Sequence, residues 1–215
     1  MKDILFIDKP KGITSFDVIR ILRKKLGIRK MGHSGTLDPL ATGLLIIGVG
    51  EGTKKLKKFQ AMTKVYLMDV ILGKKTETGD LDGKVIEEKK VEGIDIKKIK
   101  KILEEMTGRI EFEVPLYSAI KIKGKPLYKL ARKGETAVLP RRNKRIFYLR
   151  VKDCFREENS FILRIEMKCE SGTYARAIAQ IIGEKMSLPS VIKDLRRIKI
   201  GNHSVKKAKP FTFLL

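Results

Sequence analysis

The run Gly32-His33-Ser34-Gly35-Thr36-Leu37-Asp38-Pro39-Leu40-Ala41-Thr42-Gly43 holds the residues best suited to do chemistry in this chain. Its three glycines let backbone approach a ligand closely, and Pro39 confines Asp38 to extended conformations, which fixes the direction of the carboxylate. A carboxylate held in this way can act as a nucleophile or as a general base. Asp before Pro also commonly starts a turn, so spacing alone does not select Asp38. Other chemistries fail on spacing. Gly48-Val49-Gly50-Glu51-Gly52-Thr53-Lys54 is glycine-rich but matches neither a phosphate loop nor the dinucleotide fingerprint, and reads as the exit of a strand. Gly32-His33-Ser34-Gly35 lacks the residue that a nucleophile elbow needs between Ser and the second Gly. The only histidines are His33 and His203, and Cys154 and Cys169 form no CxxC pair, so no metal site is indicated. The two cysteines read as small apolar residues of a reducing compartment.

The elements that must position this loop are legible in the hydrophobic pattern. Ile4 to Ile7 predicts a short buried strand, ended by the turn Lys9-Pro10-Lys11-Gly12. A helix follows, with Ser15 as its N-cap, Val18, Leu22 and Leu26 on one face, and Gly27 as its left-handed C-terminal residue. Lys30 to Gly43 reads as loop and Leu44 to Val49 as the next strand. Lys64 to Leu72 and Lys84 to Glu88 read as a long hairpin around the turn formers Thr76 to Gly83. Asp95 caps a helix with Ile96, Ile99, Ile102, Leu103 and Met106 on its buried stripe, a solvated lysine face, and Gly108 at its end. Arg109 to Val114 and Ser118 to Ile122 read as strands, and Pro126 opens a short helix that Gly134 stops. Ile146 to Phe155 and Phe161 to Cys169 are strands joined by the polar turn Glu157-Glu158-Asn159. Thr173 to Met186 is helical and Leu195 to Ile200 a last strand. The order shows no regular alternation and no repeat, which favours an α+β fold. No linker divides residues 1–215, which read as a single domain.

The formal charge of +23, from 48 Lys+Arg against 25 Asp+Glu, points to an anionic partner, with nucleic acid foremost. A heat-adapted surface would enrich Lys and Glu together, and here the acids have not kept pace. The apolar N-terminal run is too short for a signal segment or a membrane span, so the expected location is the cytoplasm, with no membrane partner.

The loop from Gly32 to Gly43 resembles the catalytic loop of the TruB family of tRNA pseudouridine synthases. Asp8-Lys9-Pro10-Lys11-Gly12-Ile13-Thr14-Ser15 is similar to the family's N-terminal motif, and Lys64-Val65-Tyr66 with Gly79-Asp80-Leu81-Asp82-Gly83 to its second. Ser118-Ala119-Ile120-Lys121, Gly124-Lys125-Pro126-Leu127-Tyr128 and Ala131-Arg132 resemble another. So do Ser171-Gly172-Thr173-Tyr174-Ala175-Arg176 and Leu195-Arg196-Arg197. The matches keep the family's order over nearly the whole chain. Two departures stand out. Val114-Pro115-Leu116-Tyr117 replaces a frequent proline pair. Only a short tail follows Ile200, where the family usually continues into a PUA-type RNA-binding extension, so such a domain is expected to be absent.

The resemblance implies the pseudouridine synthase fold, a mixed, mainly antiparallel sheet flanked by helices and loops. It implies isomerisation of the uridine of the tRNA T-arm loop by flipping the base; the expected state is a monomer. No cofactor is implied, because the rearrangement needs no net redox change. It assigns catalysis to Asp38, with Tyr66 stacked on the uracil and Arg176 as the carboxylate's cationic partner. Tyr174 and Leu195 would line the base pocket, and His33 would fill the space the base vacates. Two rivals remain: the catalytic subunit of a guide-RNA particle, and a silent RNA-binding or tRNA-folding protein. The second has no need of Asp38, Tyr66 and Arg176 together.

Overall fold

A computed structural model describes residues 3–122, 124–135, 138–157 and 160–214. Its elements run β1 (Ile4–Lys9), α1 (Ser15–Leu26), β2 (Met31–His33), β3 (Thr42–Val49), a 3-10 turn over Gly50–Lys55, α2 (Leu56–Ala61), β4 (Lys64–Leu72), β5 (Lys74–Thr76), β6 (Val85–Glu88), α3 (Ile96–Glu105) and β7 (Gly108–Glu113). They continue with β8 (Lys121–Ile122), β9 (Lys125–Pro126), α4 (Leu127–Ala131), β10 (Arg141–Glu157), β11 (Ser160–Cys169), α5 (Ala175–Met186), β12 (Ser190–Ile200), β13 (His203–Ser204) and β14 (Lys209–Pro210). The fold is α+β with mainly antiparallel pairing, as the sequence predicts. Two compact units share it. The first holds Met1–Met68, Glu166–Ser171 and Asp194–Leu215, the second Asp69–Ile165 and Gly172–Lys193.

In the first unit β3 is central because both of its faces are apolar: Leu45, Ile47 and Val49 pack with Ile7, Val18, Ile19 and Leu22, while Leu44 and Ile46 pack with Ile200. β1 covers one edge of β3 antiparallel, from Ile4 opposite Gly48 to Lys9 opposite Gly43. The other edge is divided. β2 pairs with its far end, His33 opposite Ile47, and β12 joins its start in parallel, Arg197 opposite Gly43. The segment from His33 to Thr42 therefore leaves and re-enters the same sheet edge, and its two ends are fixed by ladders. The predicted loop over Lys30 to Gly43 thus contains a short strand, and β3 starts two residues before Leu44. The tail after Ile200 is also structured: β14 extends the sheet in parallel, with Ile7 opposite Lys209.

Helix α1 starts one residue earlier than its sequence suggests. Thr14, not Ser15, is the N-cap, and it forms a capping box with Asp17. Ser15 is buried and turned to another task, described below.

In the second unit β10 spans 17 residues, five more at its start than predicted, and pairs antiparallel with β7 from Arg141 opposite Glu113 to Ile146 opposite Gly108. Helix α3, capped by Asp95, packs on β10 and α5. The predicted strand Ser118 to Ile122 shrinks to Lys121–Ile122, paired with Lys125–Pro126. The hairpin predicted from Lys64 to Glu88 is interrupted at Gly73, so β5 and β6 form a small sheet of their own. Glu158 and Asn159 of the turn before β11 lie outside the described residues.

Candidate active site

The loop bearing Asp38 is held by the first unit's own polar groups. The Ser15 hydroxyl accepts from the Leu37 N–H at 2.8 Å and donates to the Leu37 carbonyl at 3.2 Å. Gly12 N–H donates to the Pro39 carbonyl at 2.9 Å, and the Lys9 ammonium reaches that carbonyl at 3.3 Å and those of Pro10 and Ile13 at 2.8 and 2.7 Å. The carbonyl of Asp38 accepts from Ala41 N–H at 3.0 Å. The residues on both sides of Asp38 are thus tied down while the residue itself stays half-buried.

Arg197 completes the frame. Its side chain is fully buried, and its guanidinium donates to the carbonyls of Leu44, Gly35 and Thr36 at 2.8, 3.1 and 3.5 Å, with a further hydrogen bond to the Tyr66 phenol. This requires β12 to lie against the loop's exit, and Gly43 makes that approach feasible. At φ +105 it occupies a region that disfavours side chains, and a Cβ there would fall 2.3 Å from the Arg197 carbonyl. Arg196, next in the same run, forks onto the Asp8 carboxylate at 2.6 and 3.0 Å.

The electrostatics of this cluster follow from burial. The Lys9 ammonium is pushed down to about 8 by desolvation, an effect that the Asp38 carboxylate opposes and Arg197 reinforces. Lys64 is likewise lowered to about 8, first by burial and then by Arg197. Its ammonium is coordinated by the carbonyls of Gln60 and Met62 and by the Ser171 hydroxyl at 2.5, 2.6 and 3.0 Å. Burial raises the Tyr66 phenol, with Arg197 pulling the other way, so it stays protonated at neutral pH. His33 is lowered by burial and by Arg197 and is neutral there. Its Nδ1 accepts from Gly35 N–H at 3.3 Å, and its carbonyl accepts from Gln60 Nε2 at 3.3 Å.

Of the residues picked from sequence, the first unit contains Asp38, Tyr66, His33 and Leu195. The charge of Asp38 acts on both Lys9 and Tyr66, and Leu195 is buried on β12, two residues before Arg197. Arg176 and Tyr174 belong to the second unit. There the Arg176 guanidinium donates to the carbonyls of Thr78 and Tyr117 at 2.8 and 3.0 Å, and its Nε lies 3.8 Å from the Asp80 carboxylate. Asp80 is itself held by the Thr78 hydroxyl at 2.6 Å. Tyr174 is the N-cap of α5, and its ring stands edge-on to Phe112 at 6.3 Å. Among the described residues, no group of three His, Cys, Asp or Glu side chains could hold a metal ion.

Lys9, Lys64 and Arg197 were not singled out from the sequence, although each lies within a quoted run. Lysine and arginine are almost never fully buried unless paired, so their types argue for surface. The available signal was their place beside loop-forming and aromatic residues in an otherwise apolar strand.

A family model described as TruB family pseudouridylate synthase (N terminal domain) matches residues 23–175. The tRNA pseudouridine synthase B of Endomicrobium trichonymphae is 42% identical over 208 residues, 97% of this chain and 89% of that protein. Its counterpart in Aquifex aeolicus is 41% identical over 208 residues, 97% of this chain and 71% of that one. Among solved structures, an H/ACA RNP bound to a substrate RNA containing 2'-deoxyuridine superposes with a TM-score of 0.71 at 20% identity, over 97% of this chain and 51% of that chain. A Cbf5-Nop10-Gar1 complex gives a TM-score of 0.69 at 23% identity, over 96% of this chain and 51% of that chain. The chain thus spans about half the length of those solved chains, and at this identity the likeness concerns the fold alone.

Proposed function

Because the chain belongs to the TruB family of pseudouridylate synthases, we propose that it isomerises uridine to pseudouridine in the T-arm loop of tRNA, as a cytoplasmic monomer in which residues 1–215 act as one catalytic domain. The observation that carries this reading is the Asp38 loop, clamped at Leu37 and Pro39 and framed by Arg197, with the charge of its carboxylate acting on Lys9 and Tyr66.

The reaction breaks the bond from ribose C1' to N1 of uracil and joins C1' to C5. The C5 proton leaves and N1 gains one, so atoms and charge balance without a redox partner. Asp38 acts on the ribose, as nucleophile at C1' or as base toward a ribose proton, and either role needs the ionised form. Arg176 is the cationic partner of the carboxylate in this proposal, its guanidinium oriented by Thr78, Tyr117 and Asp80. Tyr66 stacks on the extruded uracil, its phenol held by the Arg197 guanidinium, and the C5 proton passes to solvent. Neutral His33 occupies the gap left in the T arm, and Leu195 and Tyr174 line the base. Extrusion costs a few kcal/mol of lost stacking, which stacking of the base on Tyr66 helps to offset.

The test is release of C5-bound tritium from an unmodified tRNA transcript labelled in uridine. Protein alone should release one equivalent per tRNA. Asp38→Asn should abolish release and leave tRNA affinity within about threefold, since affinity rests mainly on phosphate contacts. Turnover by the Asn variant removes Asp38 from the mechanism.

A further inference from the structure

Helix α2 is six residues long, too short to hold itself in water, so its end must be fixed from outside. Its last carbonyls have no partner within the helix. The Lys64 ammonium, buried at the start of β4, supplies one: it donates to the carbonyls of Gln60 and Met62 at 2.5 and 2.6 Å and lies 3.4 Å from that of Phe59. The Ser171 hydroxyl completes the knot, accepting from Lys64 at 3.0 Å and donating to the Gln60 carbonyl at 2.5 Å. The turn after β12 holds the same end. There Gly201 N–H donates to the Thr63 carbonyl at 2.8 Å, and the His203 ring stands edge-on to Phe59 at 5.4 Å.

From this anchored end α2 reaches the start of the Asp38 loop. It lies so close to Gly32 that a Cβ there would fall 2.9 Å from Leu56 Cδ1. The Gln60 amide donates to the His33 carbonyl at 3.3 Å. That carbonyl cannot be held by β3. Ser34 N–H donates to the Ile46 carbonyl at 3.0 Å, and neighbouring residues of a strand turn their backbone polar groups to opposite sides, so those of His33 point away from β3. The backbone orientation of His33 thus depends on Gln60, and the place of Gln60 depends on Lys64.

We propose that Lys64 and Gln60 are positioning residues for base extrusion: Lys64 fixes the end of α2, and Gln60 on that end holds the His33 backbone at the angle from which its ring enters the gap in the T arm. Neither takes part in the bond rearrangement. The proposal rests on the reading above, in which His33 fills the space that the uracil vacates.

The experiment uses the full chain carrying Asp38→Asn, so that no isomerisation follows extrusion, and a tRNA transcript with 2-aminopurine next to the target uridine, whose fluorescence rises when its neighbour unstacks. The rate of that rise at saturating protein is the extrusion rate. Gln60→Ala in this parent should slow it about two- to tenfold, the worth of one hydrogen bond. Lys64→Met should slow it at least about fivefold, because several oxygens lose one cation. The two together should match Lys64→Met within about twofold, since the released helix has already lost the Gln60 bond. The Kd for tRNA, which rests mainly on phosphate contacts, should stay within about threefold throughout. Where Lys64→Met does not fold, Ser171→Ala removes one oxygen from the ammonium and takes its place, with a slowing of about twofold or more and the same non-additivity. Parent rates in folded variants, slowing factors that multiply in the pair, or a change confined to Kd would overturn the proposal. No rise with the parent would instead remove base extrusion by this chain, and with it the reading on which the proposal rests.

Discussion

Among the described residues, Arg197 and Lys9 are the largest side chains buried completely, and both are cations near the residue proposed to do the chemistry. Burying a charge is costly unless hydrogen bonds replace water, and here backbone carbonyls of the Asp38 loop and its neighbours do so. A lysine at position 197 keeps the charge but cannot fork to three carbonyls and a phenol. Arg197→Lys should cost about 2–3 kcal/mol in urea unfolding. It should also lower kcat for tritium release by at least about tenfold with little change in tRNA Kd; an unchanged kcat would show the clamp to be structural only. The depressed lysines give a pH test with a definite sign. Lys9 and Lys64 titrate near 8 in the folded chain, against 10.5 ordinarily. Between those values the unfolded chain binds more protons than the folded one, so their contribution makes stability rise with pH through that window and level off above it. Lys64→Met should reduce the slope of unfolding free energy over this interval by up to about 1.4 kcal/mol per pH unit. An unaltered slope would mean that Lys64 is not depressed.

At the scale of the element, helix α1 both caps itself and holds the loop, and two adjacent hydroxyls divide these tasks. Thr14 caps the helix, while Ser15 exchanges hydrogen bonds with Leu37. Thr14→Ala should cost about 1 kcal/mol of stability and leave kcat alone. Ser15→Ala leaves the Leu37 N–H without its acceptor, costs about 1–3 kcal/mol, and should lower kcat as Asp38 loses its fixed direction. Equal kinetic effects from the two variants would contradict this division. The element types were legible because periodicity reports a buried face: α1, β3, β4, α3 and β11 come out of the pattern directly. What the pattern missed was set by partners distant in the chain. Met31–His33 is a strand because Ile47 to Val49 offers it an open edge, and β10 begins at Arg141, in a run of charges, because β7 pairs with it. The choice of Thr14 over Ser15 as the cap depends on where Leu37 lies.

At the scale of the molecule, the excess of 48 basic over 25 acidic side chains predicts binding that is strong and salt-labile. Affinity for unmodified tRNA should fall by about a thousandfold or more between 50 and 200 mM salt if six or more phosphates are contacted. A shallow dependence would place the charge to another use. The sequence by itself displayed the chemistry available: an acid before proline in a glycine-punctuated loop, a tyrosine in a predicted strand, two histidines, and motifs in one family's order. These are properties of local spacing and residue type, which the linear chain displays. Only the tertiary structure decided that Lys9, Lys64 and Arg197 are interior and that Arg197 ties the loop to the Tyr66 phenol. A charge's environment depends on which distant carbonyls and rings surround it, and residue type alone leaves that open.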